Sequence, residues 1–235
     1  MGAGITVAGV DGCRGGWVVV TAHHDEPGGG PARLAAEVVP GLEPLIERAR
    51  RGELAAVAVD MPMGLLTDRP RRSDREARAV LGPRRASVFP TPVRAVLDAA
   101  SYPEACEQSR AACGKALSKQ AWFLVDRIRQ LDELITRADQ ESVVEAHPEC
   151  AFLRLAGGEP LPSKHTPEGR RRRHQLLRRH LGRPFERLWR AAPAPPLDLL
   201  DATVLTVTAC HLVAGTAIVL GREVDPAGKL AQVVY

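Results

Sequence analysis

Short apolar, β-branched runs alternate with glycine-rich or polar clusters in the first part of the chain. Ile5-Thr6-Val7-Ala8-Gly9-Val10, closed by Asp11, predicts a first strand over 5–10. Two further runs predict strands over 16–22 and 33–39. The tight link Gly12-Cys13-Arg14-Gly15-Gly16 suits a hairpin between the first two strands, and Pro27-Gly28-Gly29-Gly30-Pro31 suits a longer turn before the third. Leu42 to Arg51 has helical spacing and stops at Gly52, and Leu54-Ala55-Ala56-Val57-Ala58-Val59 leads into Asp60 as a fourth strand. The order is βββαβ, with the helix as the crossover that a parallel strand pair requires.

A helical and loop region follows. Ser73-Asp74-Arg75-Glu76 has the form of a capping box, with its helix ending at Gly82-Pro83. Thr91-Pro92 predicts an N-cap and first turn for a helix to about Ala100. Trp122, Val125, Ile128, Leu131, Leu134 and Ile135 recur at helical spacing within 118–138. Residues 142–146 predict a fifth strand, and Thr166-Pro167 opens an arginine-rich helix that ends at Gly182. Beyond the stiff loop Pro193 to Pro196, one helix is expected from Leu197 to Leu220.

Carboxylates fall at the ends of these apolar segments. Asp11 and Asp60 each close a strand, Glu145 follows Val143-Val144, and Asp198 and Asp201 open the last helix. An ionised group beside a core costs free energy unless it is paired or bound to metal. Strand ends are also where open α/β sheets place ligands. If strands one and four are adjacent and parallel, Asp11 and Asp60 lie about 5 Å apart, close enough to share an ion. A final helix laid across the sheet brings in Asp201, with Asp198 three residues earlier on the same face. Such a set repels itself unless Mg2+ or Mn2+, which favour oxygen ligands, is bound. Each acid also has a plain structural reading. Asp11 and Asp60 suit turn starts, Asp198 suits an N-cap, and Glu145 suits an arginine partner. His147 is a candidate general base or water-positioning group, or simply a structural residue before Pro148. Arg14, Arg84, Arg85, Lys119 and Lys164 are candidates to neutralise phosphate, against the alternative of solvated surface charge.

Composition narrows the function. A length of 235 residues supports one domain, here 1–235 with a helical insertion over about 61–140. Aromatic residues are 4% of the chain, too few for a stacking platform for single strands. The net charge of +4 is mild, but Arg69, Arg71, Arg72, Arg75, Arg84 and Arg85 form one basic stretch and Arg170 to Arg173 with Arg178 and Arg179 another, which fits a polyanionic partner. Five cysteines without CxxC spacing argue against structural zinc and against a disulfide framework. Free thiols and no signal peptide predict the cytoplasm, and the polar residues within 202–220 predict a buried helix rather than a membrane span.

Six segments carry a family resemblance: Val10-Asp11-Gly12-Cys13-Arg14-Gly15-Gly16-Trp17, Asp60-Met61-Pro62-Met63-Gly64-Leu65, Ser87-Val88-Phe89-Pro90, Ser118-Lys119-Gln120-Ala121-Trp122, Glu145-Ala146-His147-Pro148-Glu149 and Asp198-Leu199-Leu200-Asp201-Ala202. In this order they resemble the bacterial and archaeal family catalogued as domain of unknown function 429, predicted nucleases with a ribonuclease H-like fold. The resemblance implies an α/β fold: a five-stranded mixed sheet, its first three strands antiparallel, with helices on both faces. It also implies metal ligands at Asp11, Asp60 and Asp201. His147-Pro148-Glu149 has no place in the generic site of that fold.

The leading expectation is a metal-dependent nuclease cutting phosphodiester bonds in DNA or RNA. Asp11 would bridge two Mg2+ or Mn2+ ions, Asp60 and Asp201 would complete their shells, and Glu145 or His147 would position water. Two alternatives stand beside it. One is an ATP-dependent phosphotransferase of the sugar-kinase and actin type, using the glycine-rich segment after Asp11 to cradle phosphate. The other is a non-catalytic module holding nucleic acid or protein through its arginines.

Overall fold

The computed structural model describes residues 4–26 and 29–235. Part of the expected turn at 27–31 lies outside them. The chain forms two compact units. The first comprises residues 1–60, 142–218 and 234–235, and the second comprises 61–141 and 219–233. The second thus includes the expected insertion and also a later stretch of chain.

The first unit is built on one sheet. Strands β1 (Ile5–Cys13), β2 (Gly16–His24) and β3 (Arg33–Val39) form an antiparallel meander. Helix α1 (Glu43–Arg50) crosses over to β4 (Ala56–Val59), which runs parallel to β1. Strand β5 (Val143–Glu145) adds parallel to β4, giving the five-stranded order β3-β2-β1-β4-β5. The predicted strands, their order and the β1–β4 pairing therefore hold. Gly15 and Gly16, both at positive φ, close the β1–β2 link, a backbone that side chains resist.

Register defines the two faces of the sheet. Val7, Gly9 and Asp11 of β1 lie opposite Ala22, Val20 and Val18 of β2, and Val7 and Gly9 lie beside Ala56 and Ala58 of β4. These positions share one face because side chains alternate along a strand. The last long helix, α9 (Pro196–Val213), packs on that face against β1, β4 and β2. Gly9 makes the fit possible, since a Cβ there would stand 2.1 Å from Ala202 O and 2.5 Å from Thr206 N. A glycine inside a strand often marks such close backbone approach. Gly9→Ala is expected to push the helix off the sheet and destabilise the protein by about 2–3 kcal/mol, as overpacking does. Urea unfolding measures this, and an unchanged midpoint would contradict the contact.

Helix α9 is shorter than expected. Gly215 adopts a left-handed φ of 66° just beyond it. Ile218 and Tyr235 then exchange both backbone hydrogen bonds at 2.8 and 2.9 Å, and residues 219–224 continue as a strand. Among the described residues α9 is the one helix long and apolar enough to cross a membrane, with a mean hydropathy of 1.3, and 61% of it is buried within the protein. Two more helices of this unit carry no clear sequence signal, α6 (Pro148–Leu155) and α8 (Arg183–Ala191). The arginine-rich helix α7 (Pro167–Leu181) forms as predicted, its Thr166 Oγ1 accepting from Gly169 N at 3.0 Å.

The second unit departs more from expectation. Helix α2 (Arg72–Leu81) begins after Arg71, and no side chain caps it, so the capping box does not form. Instead Asp74 accepts hydrogen bonds from Arg71 Nη2 at 2.6 Å and from Thr91 N at 2.9 Å. Thr91 is thereby held as a strut and not an N-cap, and only a short 3-10 turn, Arg94–Asp98, follows. Helix α3 (Tyr102–Cys113) is unforeseen, though Ser101 caps it through Glu104 N. The long helix predicted for 118–138 divides into α4 (Lys119–Trp122) and α5 (Val125–Leu134), parted by a tight turn in which Leu124 N donates to Ala121 O. Thr136, bonded through N and Oγ1 to Asp139 Oδ2 at 2.7 and 2.8 Å, draws the chain out of helix after α5. Strands β6 (Val219–Val224) and β7 (Leu230–Val234) form a separate pair. Asp225 between them accepts from Leu65 N, Lys229 N and Arg94 Nη2.

Candidate active site at the ends of β1 and β4

The shared face of β1 and β4 places Asp11 and Asp60 side by side. Val10 pairs with Val59, so the next residue on each strand, a carboxylate in both, projects toward α9. The charge of Asp60 acts directly on Asp11. Helix α9 meets Gly9 through Ala202 and Thr206. Two residues further along β1 and just before Ala202 on α9, Asp11 and Asp201 are neighbours. Asp201 is 1% exposed and Asp11 7%. Asp60 retains some solvent-accessible surface, although its carboxyl group is densely surrounded.

Three acids this close titrate abnormally. Burial, then the charges of Asp60 and Asp201, hold Asp11 well above the usual carboxylate range, while Lys164 opposes them and Asp198 adds a smaller upward push. Burial and Asp201 push Asp60 up to about 7, against the opposing effects of Lys164 and of the neighbouring Asp11. Asp201 is also raised by burial, despite its ion pair with Lys164. The two partners of that pair respond differently because their burial differs. Desolvation lowers Lys164, yet Asp201, Asp60 and Asp11 together more than reverse it and fix the ammonium in its charged form. For the fully enclosed Asp201, desolvation outweighs the effects of Lys164 and Arg173.

The structure treats the other sequence candidates unequally. Lys164 bonds Asp201 Oδ2 directly. Asp198 is half-buried one turn before Asp201. Glu145 is in register with Val59, which places it on the opposite face of the sheet from Asp11 and Asp60. His147 stands at the N-cap of α6, half-buried. Arg14 is exposed on the β1–β2 turn. Arg84, Arg85 and Lys119 belong to the second unit.

The residue that sequence reasoning left unplaced is Glu149. It lies in the first turn of α6, 7% exposed, and its charge raises both Asp60 and Asp201. Arg173, fully buried on α7, donates from Nη2 to both Glu149 oxygens at 2.8 and 2.7 Å. Its partner lies 24 residues away in the chain, so no local spacing marks the pair. Cys150, beside this group, has its thiol pushed up to about 12 by burial, Glu149 and Asp60, so it is held protonated.

Asp11, Asp60 and Asp201 offer only carboxylate oxygens as ligands, and such a set suits hard divalent cations. Among the described residues no three His, Cys, Asp or Glu side chains stand together as a ready-made metal cage. Asp11 and Asp60, side by side at neighbouring strand ends, are the pair that would hold an ion, with Asp201 and its bonded Lys164 beside them.

The match to known proteins covers all of these positions. A family model described as protein of unknown function (DUF429) matches residues 9–225. The chain belongs to this family. In this DUF429 chain the matched span takes in Asp11, Asp60, Glu149, Lys164, Arg173 and Asp201. No curated protein and no solved structure matches the chain.

Proposed function

We propose that the sheet unit is a ribonuclease H-like domain and that the protein is a metal-dependent nuclease acting on DNA or RNA. The single observation that carries this reading is the convergence of Asp11, Asp60 and Asp201, from two strand ends and the last helix, into one electrostatically coupled group. A sheet ordered β3-β2-β1-β4-β5 with α9 across it supports the fold assignment. Bound Mg2+ or Mn2+ supplies charge compensation and water activation in such a centre. The residues of the chain do the rest. Asp11, Asp60 and Asp201 would hold the ion, and the Glu149–Arg173 pair joins α6 to α7. Asp198, half-buried one turn before Asp201, adds its charge at Asp11.

Exposed arginines on α7, including Arg170, Arg171, Arg172 and Arg179, support a polyanionic substrate for this same unit. The test is purified protein with Mn2+ against single-stranded, duplex and branched DNA and RNA. Cleavage of any of these by the native chain is expected, and Asp11→Asn should abolish it. If the native protein cuts no substrate beyond the level of Asp11→Asn, catalysis at this site is wrong. Salt-sensitive binding without cleavage, indifferent to chelator, would favour a non-catalytic module instead.

A further inference from the structure

We infer that Lys164 is a built-in second cation of the carboxylate centre, so that the site takes up one divalent ion and not two. This rests on the reading of Asp11, Asp60 and Asp201 as a cation site.

Lys164 is not a surface lysine that drifts onto an acid. Its Nζ bonds Asp201 Oδ2, and its side chain is 30% exposed against 2% for Asp201. The charges of Asp60 and Asp11 act on it as well. The backbone that delivers it is clamped on both sides. Arg173 Nη1 donates to Pro162 O at 2.8 Å, just before Lys164. Thr166 N and Oγ1 both donate to Ser163 O, at 2.9 and 2.8 Å. Gly169 lies so close to this segment that a Cβ would stand 2.0 Å from Ser163 O. The ammonium is therefore preorganised over the cluster by the first turns of α7, and holding it there requires little further ordering of the chain.

Charge balance gives the consequence. Asp11, Asp60 and Asp201 are three acids, and the ammonium bonded to Asp201 already offsets one of their charges from within the cluster. A second divalent ion would have to enter beside a fixed positive charge that repels it strongly at a few ångströms. An ammonium has three donors, and only one is engaged with Asp201. Another is free to meet a non-bridging phosphate oxygen of the substrate, which is the role the absent second ion would have had.

Titration with Mn2+, followed by electron paramagnetic resonance of the free ion and by calorimetry, tests this. The native protein is expected to bind one Mn2+, and Lys164→Arg to do the same. Lys164→Met is expected to take up a second Mn2+, or to bind the first at least about tenfold more tightly, because the competing cation is gone. Circular dichroism melting of each variant establishes that it is folded. Two ions on the native protein, or one ion of unchanged affinity on folded Lys164→Met, would overturn the role of Lys164 and leave the cation site standing. Failure of every protein to bind Mn2+ would remove the cation site itself, and this inference with it.

Discussion

Replacing Arg173 with methionine is expected to destabilise the protein by about 3–5 kcal/mol, the usual effect of stripping one partner from a buried ion pair. Arg173 has no exposed surface, and its guanidinium makes four hydrogen bonds. Two go to Glu149, and the others go to Pro162 O and Gly169 O at 2.8 and 3.0 Å. Its guanidinium carbon lies 5.3 Å from the centre of the Phe152 ring. Methionine occupies much of the same volume, so a cavity is not the main effect. What remains is a buried Glu149 with no counter-charge, already repelled by Asp60 and Asp201. Chemical denaturation gives the change directly. The double variant Glu149→Met with Arg173→Met should recover most of the loss, because it leaves no charge stranded. A single-variant loss below about 1 kcal/mol would mean that the pair is an ordinary surface bridge.

Asp60→Asn is expected to do the opposite and stabilise the metal-free protein, by about 2–3 kcal/mol at pH 8. The folded carboxyl holds its proton up to about 7, whereas in the unfolded chain it releases it near 4. Between those values the folded protein binds more protons than the unfolded one, so stability falls as pH rises from about 4 to about 7 and stays at the lower level above. The full shift corresponds to about 4 kcal/mol, and residual contact of Asp60 with water reduces it. Asparagine has no proton to lose, so the variant should show a flatter profile across that window. Added Mn2+ should restore stability to the native protein at pH 8 and do much less for Asp60→Asn. Denaturation curves at pH 5 and pH 8, with chelator and with Mn2+, separate these outcomes. Equal stability of the two proteins at pH 8 in chelator would show that Asp60 carries no such strain. Stability withheld at a cluster of like charges is the signature of a group kept for binding.

Local patterns were enough for the sheet. The β-branched runs ending in Asp11 and Asp60, the glycine link after Asp11 and the single crossover helix determine three antiparallel strands and a parallel fourth, because period-two burial and connection length leave few alternatives. Asp11 and Asp60 were legible as neighbours for the same reason: strand register carries both to one edge. The family was legible too, through motifs spread along nearly the whole matched span.

Turn and cap signals misled where a distant partner claimed the same group. Thr91 has the form of an N-cap, but Asp74 takes both its donors. The last helix looked continuous to Leu220, yet the pairing of Ile218 with Tyr235 draws that stretch into strand. Glu145 and Glu149 illustrate the same division within one motif. Sequence marks both as acids near a strand end, and only the pleat, which turns Glu145 to the other face, and the bond to Arg173 distinguish them.

What the sequence determined by itself is therefore the order of elements and the placing of two carboxylates, since both depend on residues close in the chain. The sequence offered Asp201 as a third acid through the last helix, but tertiary structure alone decided that α9 seats it there, that Lys164 bonds it and that Glu149 pairs with Arg173. Those choices rest on helix-to-sheet packing and on charge pairs between elements far apart in the chain, and no local periodicity encodes the energy that selects them.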